Sequence, residues 1–227
     1  MLQRVKLMRM KSELNLTELY RFFLGAEFNN EDSFGFYNVE FYGPILKAHY
    51  VEKEVTSLHI TDPFGDIHEQ FLISYNDFSF EIGPLEKGVY LLSVYNPPKT
   101  IKKFLDRISA KFDYNLTFSL VNLDISNLVS EISSDKNISL LKISRVKASG
   151  LRFSNDATGC IELVSIGNAL EDLEKNVMSK KFVIDKIKGA FFLYGERIAF
   201  EVSKSGLIST DGDAEAIRLI SYYGFNY

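Results

Sequence analysis

Tryptophan is absent from this 227-residue chain, cysteine occurs once, histidine three times and proline five times. The single Cys160 excludes an internal disulfide framework and matches the cysteine usage of a reducing compartment. No nucleophile motif surrounds it, so it reads as a small buried hydrophobe. No run of about 18 apolar residues occurs, so no transmembrane helix and no membrane partner is expected. The N-terminal stretch MLQRVKLMRMKSEL is basic and mildly apolar, and it lacks the apolar core and cleavage site of a signal peptide. A cytoplasmic location is therefore expected. Walker A, dinucleotide-fingerprint, nucleophile-elbow and HExxH motifs are also missing, and no cofactor is expected.

Phenylalanine and tyrosine are plentiful, at 19 and 12 residues, and point to an aromatic core. The C-terminal stretch organises the reading. Residues 182–194 form an apolar, β-rich run that Gly195-Glu196 breaks. Ile198, Phe200 and Val202 then alternate with Ala199, Glu201 and Ser203, the period of a half-buried strand. Ser205-Gly206 predicts a hairpin turn, Leu207-Ile208 a short strand and Asp211-Gly212 its end. Asp213 is placed to cap a helix with Ile217, Ile220 and Tyr223 inward, and Gly224 to stop it in a left-handed conformation.

The rest of the chain reads in the same way. Asn15 and Glu18 have capping-box spacing ahead of a helix over 15–24 on which Leu16, Leu19, Tyr20 and Phe23 make an apolar face, and Gly25 stops it. Strands are expected at Tyr37–Phe41, 45–51, 56–60, 71–74, 78–82 and 89–95, with a turn at Tyr75-Asn76-Asp77. Thr100 is expected to cap a helix over 101–112 that buries Ile101, Phe104, Leu105, Ile108 and Phe112. Further strands fall at 116–121, 138–146 and 160–166. Asp124 and Asn168 head two more helices, the second running to about Met178, and Asn155-Asp156 marks a turn. The fold class is α+β, mostly antiparallel sheet with four or five short helices. Residues 71–112 and 182–223 share a strand, strand, strand, helix order. Two structurally related halves, 1–115 and 116–227, are one reading of that order; chance recurrence within one continuous domain is the other.

Charge is segregated. Residues 25–86 carry two basic and twelve acidic groups, and residues 87–152 carry eleven basic and five acidic. Within the basic block Lys99, Lys102, Lys103, Arg107 and Lys111 crowd the outer side of the 101–112 helix. Lys142, Arg145, Lys147 and Arg152 follow on or beside a strand. These are the candidate partner- or nucleic-acid-binding residues, because such density can neutralise phosphates. His59, Asp62, Asp66 and His68, with His49 and Glu69 nearby, combine imidazole and carboxylate, the ligand types of zinc or non-haem iron, although the Asp62–Asp66 segment is also a sufficient turn.

Ile198 to Ile220, IAFEVSKSGLISTDGDAEAIRLI, resembles the strand–turn–strand–helix end of a TATA-binding-protein-type repeat over about a tenth of the chain. That resemblance implies a curved sheet built from two repeats, with partners on its concave face.

The function expected from these observations is a non-catalytic cytoplasmic interaction protein, a subunit or accessory of a larger assembly with another protein as partner. A nucleic-acid-binding module using the basic 99–111 helix is the first alternative. A metal-dependent enzyme using the His59/Asp62/Asp66/His68 cluster is the second.

Overall fold

The computed structural model describes residues 2–152, 157–177 and 182–225. In chain order its elements are β1 (Gln3–Ser12), α1 (Leu16–Gly25), β2 (Phe34–Tyr42), β3 (Ile45–Thr61), β4 (Ile67–Glu86), β5 (Val89–Tyr95), α2 (Lys102–Lys111), β6 (Leu116–Leu120), α3 (Ile125–Ser134), β7 (Ile138–Arg152), β8 (Thr158–Val164), α4 (Ala169–Asn176), β9 (Val183–Leu193), β10 (Glu196–Ser203), β11 (Leu207–Thr210) and α5 (Ala214–Gly224). The fold is α+β with strand predominant, and the registered strand pairs are antiparallel. The chain divides into two units, residues 9–118 and residues 1–8 with 119–227.

In the unit of residues 9–118 the strand order is β2-β3-β4-β5, followed by the second half of β1. Helix α1 starts where expected. The Asn15 side chain accepts from the N–H groups of Thr17 and Glu18, and the Glu18 carboxylate accepts from the Asn15 N–H at 2.8 Å. The helix buries Leu19 and Phe23, whereas α2 buries Phe104 and Ile108. These meet an aromatic core on the sheet. Phe23 lies 4.7 Å from Phe36 and 5.5 Å from Phe80, and Phe104 lies 4.9 Å from Tyr50 and 5.0 Å from Phe78, all as ring centroids in edge-to-face contact.

The other unit orders its strands as the first half of β1, then β11-β10-β9-β7-β8. Val5, Ile208, Val202, Phe200, Ile187, Phe191, Ile143 and Val146 turn to one buried side, with Leu128, Ile132, Ile217 and Ile220 from α3 and α5. Tyr194 and Gly195 both take positive φ, 50° and 88°, which a two-residue hairpin matched to strand twist requires. Gly206 has φ 82°, and a Cβ there would clash with Val121 Cγ2 and meet Leu7 O at 2.9 Å. Asp213 caps α5 by accepting from the Ala216 N–H at 3.0 Å.

Several expectations need correction. The basic N-terminal stretch is strand β1; its period is hard to see because the phase breaks at Leu7-Met8, both buried, so that Val5 and Leu7 precede the break and Met8, Met10 and Ser12 follow it. The segments 45–51 and 56–60 are one strand, as are 71–74 and 78–82. Tyr75-Asn76-Asp77 continues β4 because each residue pairs directly with β3. The 71–112 stretch therefore holds two strands and a helix, not three strands and a helix. In β2 the core residue is Phe36, because a bulge after Tyr37, with Asn38 at φ 49°, changes the phase. Ile101 occupies the N-cap of α2, while the Thr100 hydroxyl accepts from the Lys102 N–H at 3.3 Å. Leu105 is half-buried, one position off the inward stripe. Cys160 is exposed, because β8 buries none of its residues. Gly224 is the last helical residue and Phe225 the cap, with φ −97°; the glycine is needed instead for close approach to Leu123, 3.3 Å from where a Cβ would sit. The turn expected at Asn155-Asp156 and the helix end at Met178 lie outside the described residues.

Candidate binding surfaces

Helix α2 carries Lys103 and Arg107 one turn apart, beside the buried Phe104–Ile108 stripe. Their long side chains reach back to β3. Lys103 Nζ is paired with Glu52 Oε1 and lies 2.8 Å from Glu54 Oε1. Arg107 Nη2 lies 3.2 Å from Glu52 Oε1, and Nη1 donates to the Tyr50 hydroxyl at 3.3 Å. The guanidinium stands 4.7 Å over the Phe34 ring. Glu52 is only 4% exposed, so its carboxylate is a buried charge neutralised by two cations. Its Oε2 accepts from the Tyr50 hydroxyl at 3.2 Å. Burial pushes the Tyr50 hydroxyl up to about 12, against the opposing pull of the Arg107 hydrogen bond. The Lys103 ammonium is raised, first by its hydrogen bond to Glu52 and then by that to Glu54, and the Glu54 carboxyl is lowered by Lys103. Of the basic set, Lys99 stands ahead of the helix, Lys99, Lys102 and Lys111 are exposed, and Lys103, also exposed, joins Arg107 in holding the helix to the acidic strand.

The histidine region lies at the end of a long two-stranded arm. Beyond Glu52 and Asn76, β3 and β4 form a ladder with each other, from Lys53↔Tyr75 to Thr61↔Ile67, and the Lys53 N–H at its base still donates to the Ser33 carbonyl, at 2.9 Å. Nine such pairs extend about 30 Å. Asp62 closes the turn: Oδ1 accepts from the N–H groups of Phe64 and Asp66, both at 2.9 Å, and Gly65 supplies φ 96°. The Asp66 N–H is the main reason the Asp62 carboxyl is lowered. His68 Nε2 stands 3.5 Å from Asp62 Oδ2, and His59 lies opposite Glu69. His49 sits apart, 3.7 Å from Asp77 and against the Tyr37 ring. Among the described residues no three His, Cys, Asp or Glu side chains converge as a metal-ligand set.

Directly opposed residues share a face of an antiparallel ribbon. One face of the arm therefore carries Val55 with Ile73, Phe71 with Ser57, and Ile67 with Thr61; the other carries Leu72 with Thr56, Leu58 with Gln70, and Ile60 with His68. All of these apolar side chains are exposed, and Phe64 at the tip is 92% exposed.

The third surface is the exposed face of the unit built on β7 and β9. Register places Arg4, Ser209, Glu201, Lys188, Arg145 and Val164 opposite one another in a single row across β1, β11, β10, β9, β7 and β8. In the adjoining row Lys186 faces Lys147, and Lys147 faces Glu162. Lys142 lies opposite Ala190, two positions from Lys188 and hence on the same face. The sequence-derived candidates Lys142, Arg145 and Lys147 thus come together. Arg152 lies at the end of β7, opposite Thr158. Sequence reasoning missed Arg4, Lys186 and Lys188. Their signal was the alternation of Lys186 and Lys188 around buried Ile187; that β9 lies beside β7 is a tertiary fact.

No protein family and no curated protein matches the chain. The strand–turn–strand–helix order at Ile198–Ile220 is present locally as β10, β11 and α5.

Proposed function

We propose that the protein is a non-catalytic interaction protein that works as a subunit of a larger assembly, with the β3–β4 arm as its assembly element. One observation carries this reading: the arm exposes large apolar side chains on both faces, and over Val55–Thr61 and Gln70–Asn76 its strand edges carry no protecting charge or proline. An isolated two-stranded ribbon is marginal in water without something to cover it. Edge strands are ordinarily protected by charge, proline or a bulge. Neither Val55–Thr61 nor Gln70–Asn76 contains Asp, Glu, Lys, Arg or Pro.

The occupant that fits is a second copy of the chain. An antiparallel pair of β4 edges centred on Leu72 sets Phe71 against Ile73, Gln70 against Ser74, Glu69 against Tyr75 and His68 against Asn76, with no like charges opposed. Centring one residue later would oppose Glu69 to Asp77. The expected self-association is isologous and closes at a dimer. Sedimentation equilibrium of the purified protein should give a dimer at micromolar concentration, and Ile73→Lys should give a monomer with an unchanged far-ultraviolet spectrum. A wild-type monomer at 100-fold higher concentration (about 100 μM) would refute the arm as a homomeric element.

The common order β3-β4-β5-α2 and β9-β10-β11-α5, three hairpin-linked strands and a helix, supports reading the two units as structural repeats. An exposed single cysteine suits a reducing, cytoplasmic setting.

A further inference from the structure

We infer that the exposed face formed by β1, β11, β10, β9 and β7 binds the phosphodiester backbone of a nucleic acid. Like charges directly opposed across neighbouring strands destabilise a sheet. This face holds two such pairs side by side, Arg145 with Lys188 and Lys147 with Lys186. Two acids offset part of the charge: Arg145 Nη1 lies 3.1 Å from Glu162, and Lys186 Nζ 2.6 Å from Glu201. Glu162 also lies directly opposite Lys147, and Glu201 opposite Lys188, but among the described residues no carboxylate comes within ion-pair distance of Lys142, Lys147 or Lys188. The cations of this face still outnumber its two acids, Glu162 and Glu201, and the net positive charge favours a polyanion.

The geometry suits an extended ligand. Strands lie about 4.8 Å apart, so the row from Arg4 to Arg145 spans roughly 19 Å, enough to follow several successive phosphates. The face offers little to read bases. Phe192, opposite Arg197, is half-buried, and the residues between the cations are small: Ala190, Ala199, Ser203 and Ser209. Phosphate contacts of this kind position a ligand without selecting its sequence. This surface shares no residue with the arm, and its test does not depend on self-association.

Fluorescence anisotropy with a labelled 20-nucleotide oligothymidylate and a 20-base-pair duplex, at 50 and 150 mM salt, tests the inference. Wild type should bind at least one of them. The double substitution Lys147→Gln with Lys188→Gln should weaken binding at least tenfold. It should also reduce the slope of log K against log salt by about 1.4 for the single strand or 1.8 for the duplex, two phosphates fewer in either case. Lys147→Arg with Lys188→Arg should bind as wild type, and the double Gln variant should melt close to wild type, because Lys147 and Lys188 each lie between one like and one opposite charge. Lys102→Gln with Lys111→Gln on α2 should change nothing. Absence of binding at 50 mM salt would overturn the inference. So would loss that follows the α2 pair instead, or equal competition by polyglutamate at matched charge, which would indicate an acidic protein.

Discussion

Removing Arg107 probes how the basic helix and the acidic strand are joined. The Glu52 side chain is 5% exposed, whereas those of Arg107 and Lys103 are 23% and 53% exposed. The two sides of the ion pair are therefore unequal. Arg107→Ala leaves a buried carboxylate with one largely solvated partner and also removes the hydrogen bond to Tyr50 and the stacking on Phe34. Breaking a buried pair in this way costs about 3–5 kcal/mol, and the remaining Lys103 places the loss toward the lower end. Glu52→Gln leaves two cations that water already reaches, and its amide can still pair with Tyr50, so it should cost about 0.5–1.5 kcal/mol. In the double variant the stranded charge is gone, and the Arg107 substitution should become cheaper by about 0.5–3 kcal/mol. Urea denaturation of the four proteins, followed by far-ultraviolet circular dichroism, measures all three quantities. A cost for Arg107→Ala no greater than that for Glu52→Gln, or strict additivity, would refute the reasoning. By the same argument, changing Lys102, Lys103 and Arg107 together to Glu should destabilise the fold, since two new carboxylates would face Glu52.

Phe23→Ala, at a fully buried position amid Phe36, Phe80 and Phe112, should cost about 3–5 kcal/mol, read as a lowered denaturation midpoint. Tyr223→Phe should raise the Asp135 carboxyl toward its ordinary value without restoring it fully, because the Asn137 N–H lowers it first and the Tyr223 hydroxyl, 2.7 Å away, second; carboxyl NMR titration checks this. The sign of the linked stability follows: Asp135, lowered, contributes above its unfolded value of 3.8 and the contribution is lost as pH falls through the folded value, while Tyr223, pushed up to about 12, contributes fully below 10 and loses it as pH rises toward 12. The stability advantage of wild type over Tyr223→Phe should thus be widest between these limits and shrink outside them.

The elements with strong local signals were legible in the sequence. The Asn15–Glu18 box, the Asp124 and Asp213 caps and the Ile198–Phe200–Val202 alternation each carry their own hydrogen-bond or burial logic, and each stands where expected. The arm was not legible as one object. Its residues have weak alternation because both faces are exposed, and Tyr75-Asn76-Asp77 has turn composition although its backbone pairs throughout. Strand β1 is obscured for a different reason: its buried positions change phase at Leu7-Met8, so no single alternation runs through it. The binding surfaces were half legible. Lys142, Arg145 and Lys147 could be named from sequence, but their meeting with Lys186 and Lys188 depends on non-local pairing between strands some forty residues apart. Conversely, Lys103 and Arg107 looked like free surface cations because their partner Glu52 lies about fifty residues earlier.

The most direct test of the arm as an assembly element is a cross-link on its proposed two-fold axis. In a Cys160→Ser background, Leu72→Cys places two thiols opposite each other across a pair of β4 edges, at the Cα separation of about 4.5–5.5 Å that antiparallel partners have and a disulfide accepts. Mild oxidation at micromolar protein should convert most of this variant to a covalent dimer on non-reducing denaturing gels, while Leu58→Cys, on the opposite strand of the arm, should stay un-cross-linked. Equal cross-linking at both positions, or none at Leu72→Cys, would contradict the account.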